Sequence, residues 1–140
     1  MTPSTFTPAV AKAILDANFA PWVRDSGLVV DAVGADTVTM RIPFSDHLCR
    51  TGGIMSGQTL AAGADTAMVL ALAAAMGGVL KPVTTVDLSI NYMRPVTKAD
   101  AVLIAKVIRL GRTLAFCTTE INEAGSTKPS AFATGTFAIL

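Results

Sequence analysis

One aspartate stands alone in an apolar run. Residues 52–78 read GGIMSGQTLAAGADTAMVLALAAAMGG, and beyond Gln58 the only ionisable side chain is Asp65. An ionised carboxylate taken out of water is costly, so it pairs, takes up a proton or is held there for use. Pairing would call on a neighbour such as Thr66 or an arginine from a nearby loop. Use would mean a general base or a nucleophile kept in a dry cleft. The residues just upstream favour use.

Ser56 is placed to cap a helix that Gly57 begins. The first N–H groups of a helix lack internal partners and sit at the positive end of its dipole. They suit an anion, or a carbonyl oxygen that becomes one during reaction. Glycine lets a substrate approach that backbone closely, although it would also serve a plain tight turn. Gly57 and Asp65 are eight residues apart, which is about 12 Å along a helix at ~1.5 Å per residue. A carbonyl-polarising donor and a base must each reach to within roughly 3 Å of one reacting centre. A single helix cannot supply both. Two antiparallel helices from two subunits can, with Gly57 of one facing Asp65 of the other, and a two-fold dimer then holds two identical sites.

The elements that must position these groups can be read along the chain. Thr7-Pro8 starts a helix of about residues 8–20, with Pro21 and Gly27 marking its decay. LVVDAV (28–33), a Gly-Ala-Asp turn and TVTMRI (37–42) form a β-hairpin, the second arm alternating apolar and polar. Residues 43–55 are rich in turn formers and read as loop. The long helix spans about 57–76, is apolar all round and is stopped by Gly77-Gly78. Four strands follow at 83–93, 101–110, 113–122 and 131–140. The breaks between them, RPVTKAD, GR and EAGST, are short enough for successive antiparallel hairpins. The expectation is a single α+β domain over residues 1–140, an antiparallel sheet wrapped around one long central helix.

Composition narrows the function. Half the residues are hydrophobic (51%) and 15% are charged, which supports a packed core. The net charge is +1 and no basic block is present, so a nucleic-acid partner is not expected. Cys49 and Cys117 are far apart and His47 is the sole histidine, so neither a disulfide framework nor a metal site is expected. The first residues carry no leader pattern, and the most apolar window, 67–80, is shorter than the ~20 residues of a membrane span. The chain is expected to be cytoplasmic and free of membrane.

Four stretches together resemble a known family. G-x-x-S-G and, after seven intervening residues, D-T-A (53–67), TVDLSINYMRP (85–95), RLGRTLAF (109–116) and the terminal FATGTFAIL are similar to the hotdog-fold acyl-CoA thioesterases. The likeness is to the phenylacetyl-CoA thioesterase-like branch of the 4-hydroxybenzoyl-CoA thioesterase superfamily, and it runs over residues 28–140. The resemblance implies hydrolysis of an acyl-CoA thioester to acid and CoA without cofactor or metal. In it Asp65 matches the catalytic acid, Gly57 the residue whose N–H polarises the thioester carbonyl, and Thr85 a position where relatives keep a water-orienting serine. It also implies a site shared between two subunits of a homodimer or a dimer of dimers.

Two positions depart from that pattern. Ser56 replaces a frequent histidine, and Arg50 replaces a frequent asparagine. Serine hydrogen-bonds with less reach. Arg50 brings a permanent charge, for which three uses are open: steadying an oxyanion, holding a substrate carboxylate, or pairing with Asp65. Arg94 and Arg112, and more weakly Lys81, fit contacts to CoA phosphates. Met40, Met55, Met68, Met76 and Met93, with Phe19 and Trp22, are candidates for acyl contacts or for core. Two alternatives stand beside hydrolysis: a non-catalytic acyl-CoA binder or assembly subunit, and an enoyl-CoA hydratase using His47.

Overall fold

The computed structural model describes residues 5–140; residues 1–4, the head of the stretch read for a leader, lie outside it. Helix α1 (Pro8–Asn18) begins as anticipated, with the Thr7 side chain accepting from the Val10 N–H at 3.2 Å and proline in the first turn. Its buried Ala11 and Leu15 face inward, against strand β1 (Val29–Val33) and the central helix. Pro21 does not merely end α1. It opens a second, one-turn helix, α2 (Pro21–Arg24), because proline's fixed φ suits a first helical position as well as a break.

β1 pairs with β2 (Thr37–Ile42) as the predicted hairpin. The stretch expected as loop holds more structure: a 3-10 turn at Asp46–Leu48 and a small hairpin of β3 (Cys49–Arg50) and β4 (Ile54–Met55). Its tight turn uses Gly52 and Gly53 at φ +88° and +72°, a region L side chains avoid. Helix α3 (Gly57–Ala75) follows, and then β5 (Val83–Tyr92), β6 (Ala101–Leu110), β7 (Leu114–Glu123) and β8 (Pro129–Ile139). All six long strands form one antiparallel sheet in the order β1-β2-β6-β7-β8-β5.

One expected hairpin is absent. RPVTKAD does not fold β5 back onto β6; β5 pairs with β8 at the far edge, with β7 and β8 lying between it and β6. The connector crosses instead, and it is stitched to the small β3–β4 hairpin. The Met55 N–H donates to the Val96 carbonyl at 2.9 Å and the Lys98 N–H to the Gly53 carbonyl at 2.9 Å, and Ile54 bridges Thr97. Val96 is buried, so the crossing segment is anchored in the core. The GR and EAGST breaks do close the β6–β7 and β7–β8 hairpins.

The sheet wraps α3, which rests on β6, β2 and β7. The approach is close: a Cβ on Gly63 would lie 2.8 Å from both Ile42 Cδ1 and Leu103 Cδ2. By length and hydropathy α3 could cross a membrane, but most of its apolar window is buried within the domain, as in the core helix of a soluble fold. This antiparallel sheet around one long helix is the hotdog architecture.

β5 carries a bulge that matters for the site. Thr85 opposes the buried Phe137, and Leu88 opposes Gly135 on the same face, although the two are three residues apart. Strict alternation would put them on opposite faces. The register shift between Thr85 and Asp87 inserts one unpaired residue, Val86, and turns Thr85 toward the helix.

Candidate active site

Helix α3 is not covered all round. Gln58, Ala61, Ala62 and Asp65 remain partly or wholly exposed, and they form one stripe along it, while the following turns are buried. Asp65 is thus half-buried at the border between open and closed helix surface. Its Oδ1 accepts a hydrogen bond from Thr85 Oγ1 at 2.9 Å. Thr66, one of the partners considered, turns back to donate to the Ala62 carbonyl at 2.7 Å, and no arginine pairs with the carboxylate among the described residues. Burial pushes the Asp65 carboxyl above its ordinary value, and the Thr85 hydrogen bond opposes the shift. Just behind it, buried Thr119 of β7 donates to the Ala64 carbonyl at 3.1 Å and fixes this turn to the sheet. The cleft in front of Asp65 measures about 490 Å³ and is lined by Phe19, Val69, Lys81 and Thr85 among others.

The helix start is built differently. The Ser56 hydroxyl accepts from the Thr59 N–H at 3.2 Å and shares a hydrogen bond with Thr59 Oγ1 at 2.7 Å. Thr59 Oγ1 in turn donates to the Leu48 carbonyl at 3.1 Å. Ser56 is therefore occupied as an N-cap. The Gly57 N–H makes no hydrogen bond among the described residues. Its carbonyl accepts from the Tyr92 hydroxyl at 2.8 Å, which ties the first turn of α3 to the edge strand. A Cβ at position 57 would meet the Tyr92 ring at 3.3 Å, so glycine permits this contact. Gly57 opens onto a cleft of about 310 Å³ with Arg50, Tyr92, Met93 and Arg94 on its walls.

Within one chain the predicted residues therefore separate into groups. Asp65 and Thr85 share one cleft, while Gly57, Arg50 and Arg94 share another. Arg112 lies in a third, a groove of about 660 Å³ whose basic lining is completed by Lys81 and Arg109. Lys81 also borders the Asp65 cleft and links the two. His47 lines a separate cavity of about 210 Å³ beside Trp22 and Gln58. Met40 and Met68 are fully buried core, whereas Met55 and Met93 line the Gly57 cleft. Neither thiol suits a nucleophile: burial raises the Cys49 pKa, with Asp46 adding to it, and pushes Cys117 up to about 12.

Two residues were not singled out by sequence. Arg109 lies in the RLGRTLAF stretch, one turn from Arg112, but nothing in the spacing says that both face Lys81. Tyr92 lies in INYMRP, and only the β5–β8 register puts its hydroxyl under the helix start.

Comparison with known proteins bears on the family and the fold. Residues 52–129, more than half of the chain, match the model of the thioesterase superfamily. A conserved protein of known structure from Pseudomonas aeruginosa is similar at 29% identity and TM-score 0.79, over 87% of this chain and 95% of that one. A proposed thioesterase from a Silicibacter species is 27% identical with TM-score 0.86, over 99% and 94% of the two chains. A thioesterase from Haemophilus influenzae shares the fold at 22% identity and TM-score 0.83, over 97% and 92%. No curated protein matches the chain by sequence at a significant level. A hotdog domain whose central helix carries a single carboxylate, and a family match running from the small hairpin into β8, lead to one conclusion: this chain belongs to the thioesterase superfamily.

Proposed function

We propose that the protein hydrolyses acyl-CoA thioesters at a site shared between two copies of the chain, Gly57 coming from one protomer and Asp65 from the other. The observation that carries this reading is the separation just described. Donor and carboxylate sit on one rigid helix and open into different clefts, so a second copy is needed to bring them to one thioester. A dimer suffices for the chemistry, and the family resemblance extends the expectation to a dimer of dimers.

In this mechanism the ionised Asp65 takes a proton from water held near Thr85, and the water oxygen attacks the carbonyl carbon. The oxygen of the tetrahedral intermediate is stabilised by the free Gly57 N–H. The C–S bond then breaks, the carbonyl re-forms, and the proton held by Asp65 passes to the departing thiolate. Acid and CoA result. Direct attack by Asp65 would form a mixed anhydride that water then opens; both routes need the carboxylate ionised. Thiolate is a good leaving group, so no cofactor or metal is required. The groove of Lys81, Arg109 and Arg112 is suited to the CoA phosphates, reached past Lys81 from the Asp65 cleft.

The test is thiol release from a panel of acyl-CoAs, combined with subunit mixing. Asp65→Asn and Gly57→Pro should each be nearly inactive. Co-refolded in equal amounts they should recover about a quarter of wild-type activity, because half the dimers regain one intact site. No recovery in proven mixed dimers would sink the shared site. Tight ester binding without turnover by wild type would make the protein a binder, and hydration of an enoyl-CoA would make it a hydratase.

A further inference from the structure

Resting on the acyl-CoA reading above, we infer that the Gly57 cleft selects acyl groups carrying their own negative charge, such as the free carboxylate of a dicarboxylic half-ester, through Arg50 and Arg94. The cleft has two guanidinium groups and the Tyr92 hydroxyl on its walls, and no aspartate or glutamate. Neither arginine joins an ion pair among the described residues; Arg94 only donates to the Pro129 carbonyl at 3.4 Å. Arg41 shows what a structural arginine looks like here, since it is held between Asp31 at 3.2 Å and Asp100 at 3.3 Å. Two uncompensated charges in one cleft of about 310 Å³ repel each other unless an anion joins them.

The position of the cleft says which anion. Arg50 shares it with Gly57, the donor to the thioester carbonyl, and the long pantetheine arm keeps the CoA phosphates away from that carbon. A second basic groove, that of Lys81, Arg109 and Arg112, is free to take those phosphates and adjoins the Asp65 cleft instead. The thioester then lies between two cationic sites, one for each end of the substrate. The apolar remainder of the cleft, Ile54, Met55 and Leu60, matches a short methylene spacer.

The experiment compares glutaryl-CoA with valeryl-CoA, which have equal carbon counts, and repeats both acyl groups as N-acetylcysteamine thioesters without phosphates. Wild type should favour the glutaryl ester in kcat/KM by about tenfold or more, as expected for a charge-assisted contact in place of none. The preference should persist in the phosphate-free pair. Arg50→Gln should collapse the ratio, and Arg50→Lys should restore part of it. Arg50 is exposed and holds no other side chain, so both variants should fold. Equal rates for the two acyl groups in wild type, or an Arg50→Gln ratio unchanged from wild type, would overturn the inference alone. So would an Arg50→Gln defect confined to CoA esters, which would assign Arg50 to phosphate. Failure to cleave any thioester would instead remove the acyl-CoA reading itself.

Discussion

The middle and the beginning of helix α3 hold the two halves of the candidate site in contrasting ways. At Asp65 the reactive group is a side chain, half-buried, steadied by a single hydroxyl and pushed toward protonation by its surroundings. At Gly57 it is a backbone N–H, left free because the helix begins there, with its turn clamped by a serine cap on one side and a tyrosine on the other. One half depends on a pKa and the other on geometry alone. Substitutions should therefore have distinguishable signatures: pH-dependent ones around Asp65 and pH-independent ones around Gly57.

The largest effect is expected from Asp65→Asn, which should lower kcat roughly 100- to 10,000-fold. The same change should not weaken the fold. Burial holds the folded pKa of Asp65 above its unfolded value, so the fold favours the protonated acid. That advantage is complete below the unfolded pKa and is lost as pH rises through the raised one. The neutral amide should therefore raise Tm at neutral pH, with the gain vanishing in acid. A Tm that falls at neutral pH would show Asp65 to be a structural partner.

Gly57→Pro should come next. Ser56 at φ −66°, ψ 148° is compatible with a following proline, and proline is welcome at a first helical position, so the helix should survive without its donor. Gly57→Ala brings the same contact with Tyr92 but keeps the N–H. A gap of roughly 100-fold in kcat between the two variants, unchanged across pH, is the expected sign of the backbone donor. Equal activities would assign Gly57 a purely steric role.

Thr85→Val should cost about tenfold at neutral pH. It removes the one interaction that lowers the Asp65 pKa, so the acid limb of the kcat/KM profile should move to higher pH. A profile that shifts to lower pH would contradict the assignment. The smallest effect belongs to Tyr92→Phe, a loss of about threefold in kcat with no movement of either limb, because the Gly57 carbonyl loses a tether and no charge changes.

The same contrast explains what sequence could reveal. A carboxylate inside an apolar helix stands out by type, so Asp65 was legible from one line of residues. Gly57 drew its meaning from the free N–H groups of a helix start, sharpened by its distance to Asp65. The strands β6, β7 and β8 were marked by the short breaks between them. The partner of β5 did not, since periodicity records which face a residue occupies and not which strand lies alongside. The crossing segment looked like a turn because the buried Val96 and the hydrogen bonds to Gly53 and Met55 that divert it are made to residues some forty positions earlier. Clefts shared by Arg50 with Arg94, or by Lys81 with Arg109, are likewise products of packing.

The extra residue at Val86 has a consequence for how this protein can change. Any substitution there leaves the frame of β5 intact, whereas removing one residue would restore simple alternation and swing the Thr85 hydroxyl away from its carboxylate with the rest of the inventory untouched. The pairing of acid and hydroxyl thus depends on the count of residues in the strand, and a deletion at Val86 can erase it where a substitution at Val86 cannot.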